Sequence, residues 1–177
     1  VETVAEGAFN NVVQNTATRG AGVYCSADAS LVIQKTRFGE GYAQQGAGIY
    51  CAPGATPTIE NCLFIGSSAD QGAGVYCAAD SLPVLKNLTA VANVATAGGA
   101  GVHSENPAVS VRNSIFWLNN LDLYGVSATY SCISNPPPGT GNFGADPLMV
   151  GPVYSGMWDE SPSSEYCGSF WVPIGVT

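Results

Sequence analysis

The chain has 177 residues and a formal net charge of −8; only 10% of its residues are charged, while 46% are hydrophobic. Its five basic residues, Arg19, Lys35, Arg37, Lys86 and Arg112, are too few for the basic stripe that neutralises nucleic-acid phosphates. No apolar run approaches the roughly 18 residues of a membrane-spanning helix, and apolar residues recur too regularly for a disordered chain.

The 22 glycines and 11 prolines point to turns rather than helices. The first residue is Val1, not Met, so the chain is expected to be processed or an excerpt. In chain order, Val12 to Arg19 reads as the end of an incomplete unit, and full units follow. Gly20-Ala21-Gly22-Val23-Tyr24-Cys25 recurs as Gly46-Ala47-Gly48-Ile49-Tyr50-Cys51, as Gly72-Ala73-Gly74-Val75-Tyr76-Cys77 and, altered, as Gly99-Ala100-Gly101-Val102-His103-Ser104. The spacings are 26, 26 and 27. A second block keeps the same register at Ile33–Phe38, Ile59–Phe64, Leu85–Ala90 and Val111–Phe116.

A fixed period in this range signals stacked coils. Helical repeats are excluded because each unit carries Gly-x-Gly, β-branched residues and no 3.6-residue pattern. The prediction is an all-β, right-handed parallel β-helix of about five coils over residues 1–125. An irregular closing region of the same domain follows over 126–177, where Trp158, Tyr166, Phe170 and Trp171 could cover the end.

Alternation assigns the faces. Ala21, Val23 and Cys25 are expected to point inward, above their equivalents in the next coils. Ile33, Ile59, Leu85 and Val111 form a second inward stack, and Phe38, Phe64, Ala90 and Phe116 a third. Gly22, Gly48, Gly74 and Gly101 are expected to face outward beside the aromatic column Tyr24, Tyr50, Tyr76 and His103. Asn61, Asn87 and Asn113 align at a corner, where stacked amides can form an inward ladder. Glu60 and Lys86 become vertical neighbours of opposite charge.

The run Gly46 to Ala69, GAGIYCAPGATPTIENCLFIGSSA, resembles repeats of polymorphic outer-membrane-protein-like and other large bacterial surface proteins. Ala128 to Val150, with its Ala-Asp-Pro-Leu run, is similar to the segment that closes such domains, and Ser161 to Val176 to their ending. The resemblance implies a β-helix and a secreted or cell-surface location. It supplies no catalytic set.

The candidate chemistry is sparse. The tyrosine column with His103 reads as a carbohydrate platform, as a protein interface or as aromatic stacking that only stabilises the sheet. His103, the single histidine, reads as a surface variant of a tyrosine position. Cys25, Cys51 and Cys77 read as a buried thiol column; a Cys132–Cys167 bridge stays open. Asp28 and Asp80 share a column, but Gly54 separates them, so the paired carboxylates of a polysaccharide hydrolase are missing. Asn87-Leu88-Thr89 is a glycosylation sequon that competes with the inward ladder for Asn87. No metal or cofactor is implied. The expected function is an extracellular structural or adhesive module, with open ends that allow head-to-tail stacking into a filament. The partner is then another copy of itself. A module that binds a surface glycan is the alternative, and a polysaccharide-degrading enzyme the third reading.

Overall fold

The computed structural model describes residues 10–154 and 169–173. They form a right-handed parallel β-helix of about four coils of about 26 residues, with partial turns at each end, one coil fewer than expected. Each coil visits four short strands, and each strand pairs only with its equivalents in the coils above and below.

The first sheet stacks Asn10–Val13, Thr36–Gly39, Leu63–Ile65, Thr89–Val91, Ile115–Trp117 and Cys132–Ile133. The second stacks Thr16–Arg19, Tyr42–Gln45, Ser68–Gln71 and Val94–Ala95. The third holds Val23–Cys25, Ile49–Cys51, Val75–Cys77, Val102–Ser104 and Leu123–Tyr124. The fourth holds Val32–Gln34, Thr58–Glu60, Val84–Lys86, Ser110–Arg112 and Ser127–Thr129. Pairing on the coils runs past residue 125 to Ile133, which sits opposite Phe116. Met149–Tyr154 and Ser169–Pro173 form a separate antiparallel pair.

The core follows the sequence stacks. Ile33, Ile59, Leu85 and Val111 are buried in one cluster with Phe38, Phe64, Ala90 and Phe116. The Phe38 and Phe64 rings stack with centroids 5.1 Å apart. Each of the larger side chains in this set contributes about 1.5–3 kcal/mol through the water it sheds. A second, thinner lobe contains only methyl groups: Ala43 and Ala69 of the second sheet meet Ala47 and Ala73. The backbones approach closely beside it, where a Cβ on Gly41 would lie 3.2 Å from Ala47 O.

The glycine column is corrected by the same packing. Gly22, Gly48, Gly74 and Gly101 do not build an outer face. A Cβ on Gly22 would lie 2.7 Å from the Phe38 ring, on Gly48 2.8 Å from the Phe64 ring, and on Gly101 2.6 Å from the Phe116 ring. Gly74 is likewise buried. Strand alternation begins only after these glycines, so it does not reach back to them.

Corners are set by left-handed residues. Lys35, Asn61, Asn87, Asn113 and Tyr130 form one column with φ between 47° and 53°, and Gln14, Glu40, Gly66, Ala92 and Leu118 another. Asparagine adopts this conformation more cheaply than most residues, which explains Asn61, Asn87 and Asn113. The expectation of an inward ladder is corrected: all three are exposed. A left-handed corner residue points outward, and the next residue (Cys62, Leu88 or Ser114) turns in. Asn87 Nδ2 still donates to Asn61 Oδ1 at 3.2 Å, at the surface. Exposure of Asn87 removes the burial conflict with the sequon. Lys86 and Glu60 form the expected ion pair.

Candidate functional site

Three features could carry function: the aromatic column, the thiol column and the two ends of the stack. The aromatic column extends further than the sequence suggested. Tyr24, Tyr50, Tyr76, His103 and Tyr124 stack with centroid spacings of 5.1, 5.2, 5.2 and 4.7 Å, nearly parallel. Parallel strands place equivalent side chains one strand spacing apart, which suits face-to-face rings.

The exposed platform is corrected at three rungs. Tyr50, Tyr76 and His103 are 5%, 2% and 3% exposed, whereas the end rungs Tyr24 and Tyr124 are 51% and 54% exposed. Each ring covers the faces of its neighbours, and flanking groups cover the edges. The Arg19 guanidinium lies 5.5 Å from the Tyr50 centroid, held there by Gln45, which in turn bonds to Gln71. The Tyr76 hydroxyl donates to the Glu105 carboxylate, and burial pushes the Tyr76 phenol well above its ordinary range. The backbone of Gly98 closes against His103, where any Cβ would overlap Nδ1. His103 is therefore not a surface variant; its Nδ1 is buried without a hydrogen-bond partner. Burial lowers its pKa from the ordinary 6.5, against an opposing pull from Glu105.

Cys25, Cys51 and Cys77 stack inside the main core. The Cys25 thiol is raised strongly by its contact with Cys51 and by burial. Cys51 is also raised, since its contact with Cys77 and its burial outweigh the downward pull of Cys25. The Cys25 and Cys51 thiols stay protonated, and the buried column behaves as apolar filler. Cys132 Sγ donates to Ala145 O at 3.2 Å; Cys167 lies outside the described residues, as do Trp158 and Tyr166. Asp28 and Asp80 are separated as expected, since Gly54 N donates to Asp80 O at 3.2 Å and a Cβ on Gly54 would lie 2.9 Å from Asp28 Oδ1. Among the described residues no group of three or more His, Cys, Asp or Glu is placed to hold a metal. No helix among them is long and apolar enough to cross a membrane.

Sequence reasoning missed the buried polar column. Asn93, fully buried, accepts from Ser67 N at 3.0 Å and donates to Phe64 O at 3.0 Å and to Asn119 Oδ1 at 3.0 Å. Asn119 passes the chain on, donating to Ala90 O at 2.9 Å and to Asp122 Oδ1 at 2.7 Å. The 26-residue spacing of Asn93 and Asn119 was the available signal, obscured by Gly41 and Ser67 in the earlier coils.

The two ends differ. At the C-terminal end the coil shortens: Val102 pairs with Leu123, and Ser110 with Ser127. The second sheet therefore stops at Val94–Ala95, and the Asn120 side chain takes the place of a further strand. It accepts from Ala95 N at 2.9 Å and donates to Ala95 O at 2.7 Å. Asn142 accepts from Ser131 N at 3.2 Å and donates to Ala128 O at 2.8 Å. Phe143 pairs with both Ser131 and Ile133. Asp122 ends the buried amide column, its second oxygen accepting from Ser134 N at 3.0 Å. Beside it opens a cavity of about 480 Å³. At the opposite end, among the described residues, Thr16–Arg19 and Val23–Cys25 are the terminal strands of their sheets.

A family model described as "Right handed beta helix region" matches residues 4–136. No curated protein and no solved structure matches the chain. The match spans most of the chain and coincides with the stacked strands, so the chain belongs to the right-handed β-helix family.

Proposed function

We propose that the chain is a structural or adhesive module of a secreted or surface-exposed protein, and that it associates with a second copy through its N-terminal edge. The observation that carries this reading is the difference between the ends. Asn120, Asn142 and Phe143 occupy the C-terminal edges of the second, fourth and first sheets, leaving Leu123–Tyr124 to end the third, whereas at the other end, among the described residues, Thr16–Arg19 and Val23–Cys25 both end their sheets. A parallel strand with a free edge presents alternate N–H and C=O groups to any strand that can pair. The exposed ring face of Tyr24 and the exposed Val32 extend that edge as an apolar surface. Like ends meeting across a two-fold axis give a closed dimer. The head-to-tail filament is the less favoured form of this reading, because it needs a C-terminal end open to pairing.

A tyrosine platform for sugar is less favoured, since stacking covers the ring faces of Tyr50 and Tyr76. The test is sedimentation of the purified chain over a range of concentrations, beside electron microscopy. A concentration-dependent dimer that Tyr24→Asp weakens is expected. A monomer at every concentration would overturn the reading, and long filaments would show that the C-terminal end pairs as well.

A further inference from the structure

The cavity at the C-terminal end has an unusual electrostatic base. Asp122 is 7% exposed and receives two neutral donors, Asn119 Nδ2 and Ser134 N. Among the described residues no cation pairs with it, although these include all five basic side chains and the histidine: Arg37 pairs with Glu40, Lys86 with Glu60, and Arg19 lies against Gln45 and Tyr50. A buried carboxylate with no counter-charge either takes up a proton or takes up a cation. Burial already pushes Asp122 above the usual carboxylate range, against the four hydrogen-bond contributions of Asn119 and Ser134. Such a group lining a cavity of about 480 Å³ is a candidate binding site rather than packing debris.

The walls restrict what fits. Leu121, Leu123, Val126, Ile133 and the ridge Pro136 to Pro138 are apolar. No basic residue lines the cavity, so an anionic ligand has nothing to meet. One oxygen of Asp122 is turned to Asn119 and the other to Ser134, which leaves no free fork for a bidentate guanidinium. An ammonium is a compact charge that needs no paired fork and gains from the carboxylate's charge alone, and a four-carbon stem suits apolar walls. The chain's net charge of −8 attracts basic partners in general.

We propose that this cavity receives a lysine side chain of a protein partner, its stem along Leu121, Val126 and Ile133 and its ammonium against the Asp122 carboxylate. The proposal does not depend on self-association, which uses the other end of the stack.

The experiment titrates the full chain with Nα-acetyl-lysine methylamide and follows backbone amide shifts by NMR, with the arginine and norleucine equivalents and glucosamine as competitors. The expected result is saturable shifts confined to Asp122, Ser134 and their neighbours, with at least tenfold weaker binding of the norleucine and arginine probes. Binding should also lower the Asp122 carboxyl pKa, read from its side-chain carbon. Leu121→Trp narrows the mouth from an exposed position and should abolish the shifts while thermal melting stays unchanged; Asp122→Asn should abolish them too. Equal shifts from lysine and norleucine probes, or none from either, would overturn the proposal. Tighter binding of glucosamine than of the lysine probe would overturn it in favour of an amino sugar.

Discussion

His103 stands in a column where three earlier coils hold tyrosine, and it is the rung most sensitive to its surroundings. Tyr76 and Tyr124 face its ring, Glu105 is the nearby charge, and Gly98 covers its edge. Its folded pKa lies below the ordinary 6.5, so the unfolded chain binds the proton more readily. Stability is then complete above the unfolded pKa and declines as pH falls from about 6.5 toward the folded value. Urea unfolding at pH 7.5 and at pH 5 should show this loss, and His103→Tyr should remove its His103 component. Identical pH dependence in both proteins would refute the assignment. Asn93 is the other decisive residue. Asn93→Ala strands Ser67 N and Phe64 O without water, while Asn119 Oδ1 keeps its bond from the backbone N of residue 93, so a loss of about 2–4 kcal/mol is expected from unfolding curves. A loss below about 1 kcal/mol would mean that water replaces the amide. Neither residue's role was legible in the sequence. Alternation along a strand assigns an inward or outward side, but it does not show that stacked rings seal one another. The corner asparagines misled for a related reason: the spacing that aligned Asn61, Asn87 and Asn113 was correct, yet their left-handed backbone turns them outward.

At the scale of the element, the short strands carry little stability alone, and their edges decide how they behave. Asn120 stands in for a whole strand by offering one amide to Ala95. Asn120→Ala should lower stability by about 1 kcal/mol and make the chain more prone to associate, because it frees a terminal strand. Light scattering alongside thermal melting checks both; an unchanged scattering profile would show that the edge is protected in another way. The first sheet, like the middle strands of the third, is buried on both faces. Its runs Leu63-Phe64-Ile65 and Ile115-Phe116-Trp117 are apolar at every position, as in a sheet covered on both faces. Outward-pointing Leu63, Ile65 and Val91 are indeed buried. That doubled burial was written in the sequence as unbroken apolar triplets, and the reading by alternation passed over it. The three inward stacks, by contrast, were fully legible, since 26-residue spacing and period-2 alternation agree there.

For the whole molecule, stability is close to a sum over neighbouring coils, because a coil touches only those beside it. Middle coils have two neighbours and the terminal turns one. Hydrogen exchange should therefore be slowest around Ile49–Cys51 and Val75–Cys77 and faster toward Asn10–Val13 and the shortened coil after Val102. Uniform protection from end to end would mean that the stack opens as one unit. The repeat also governs how such a chain can change length. Ala47 to Gly72 is one complete coil, and removing it joins Gly46 to Ala73, which restores the same Gly-Ala-Gly run. The tyrosine and cysteine columns then close on their own kind, Tyr24 meeting Tyr76 and Cys25 meeting Cys77, while Phe38 meets the smaller Ala90 in place of Phe64. Removing 25 residues instead would turn each later side chain to the opposite face. Within the stack, a lineage of such chains can thus grow or shrink in whole coils, apart from corners such as Gly98 and Gly99, where one surplus residue is absorbed between strands, and the terminal coil, which drops a strand.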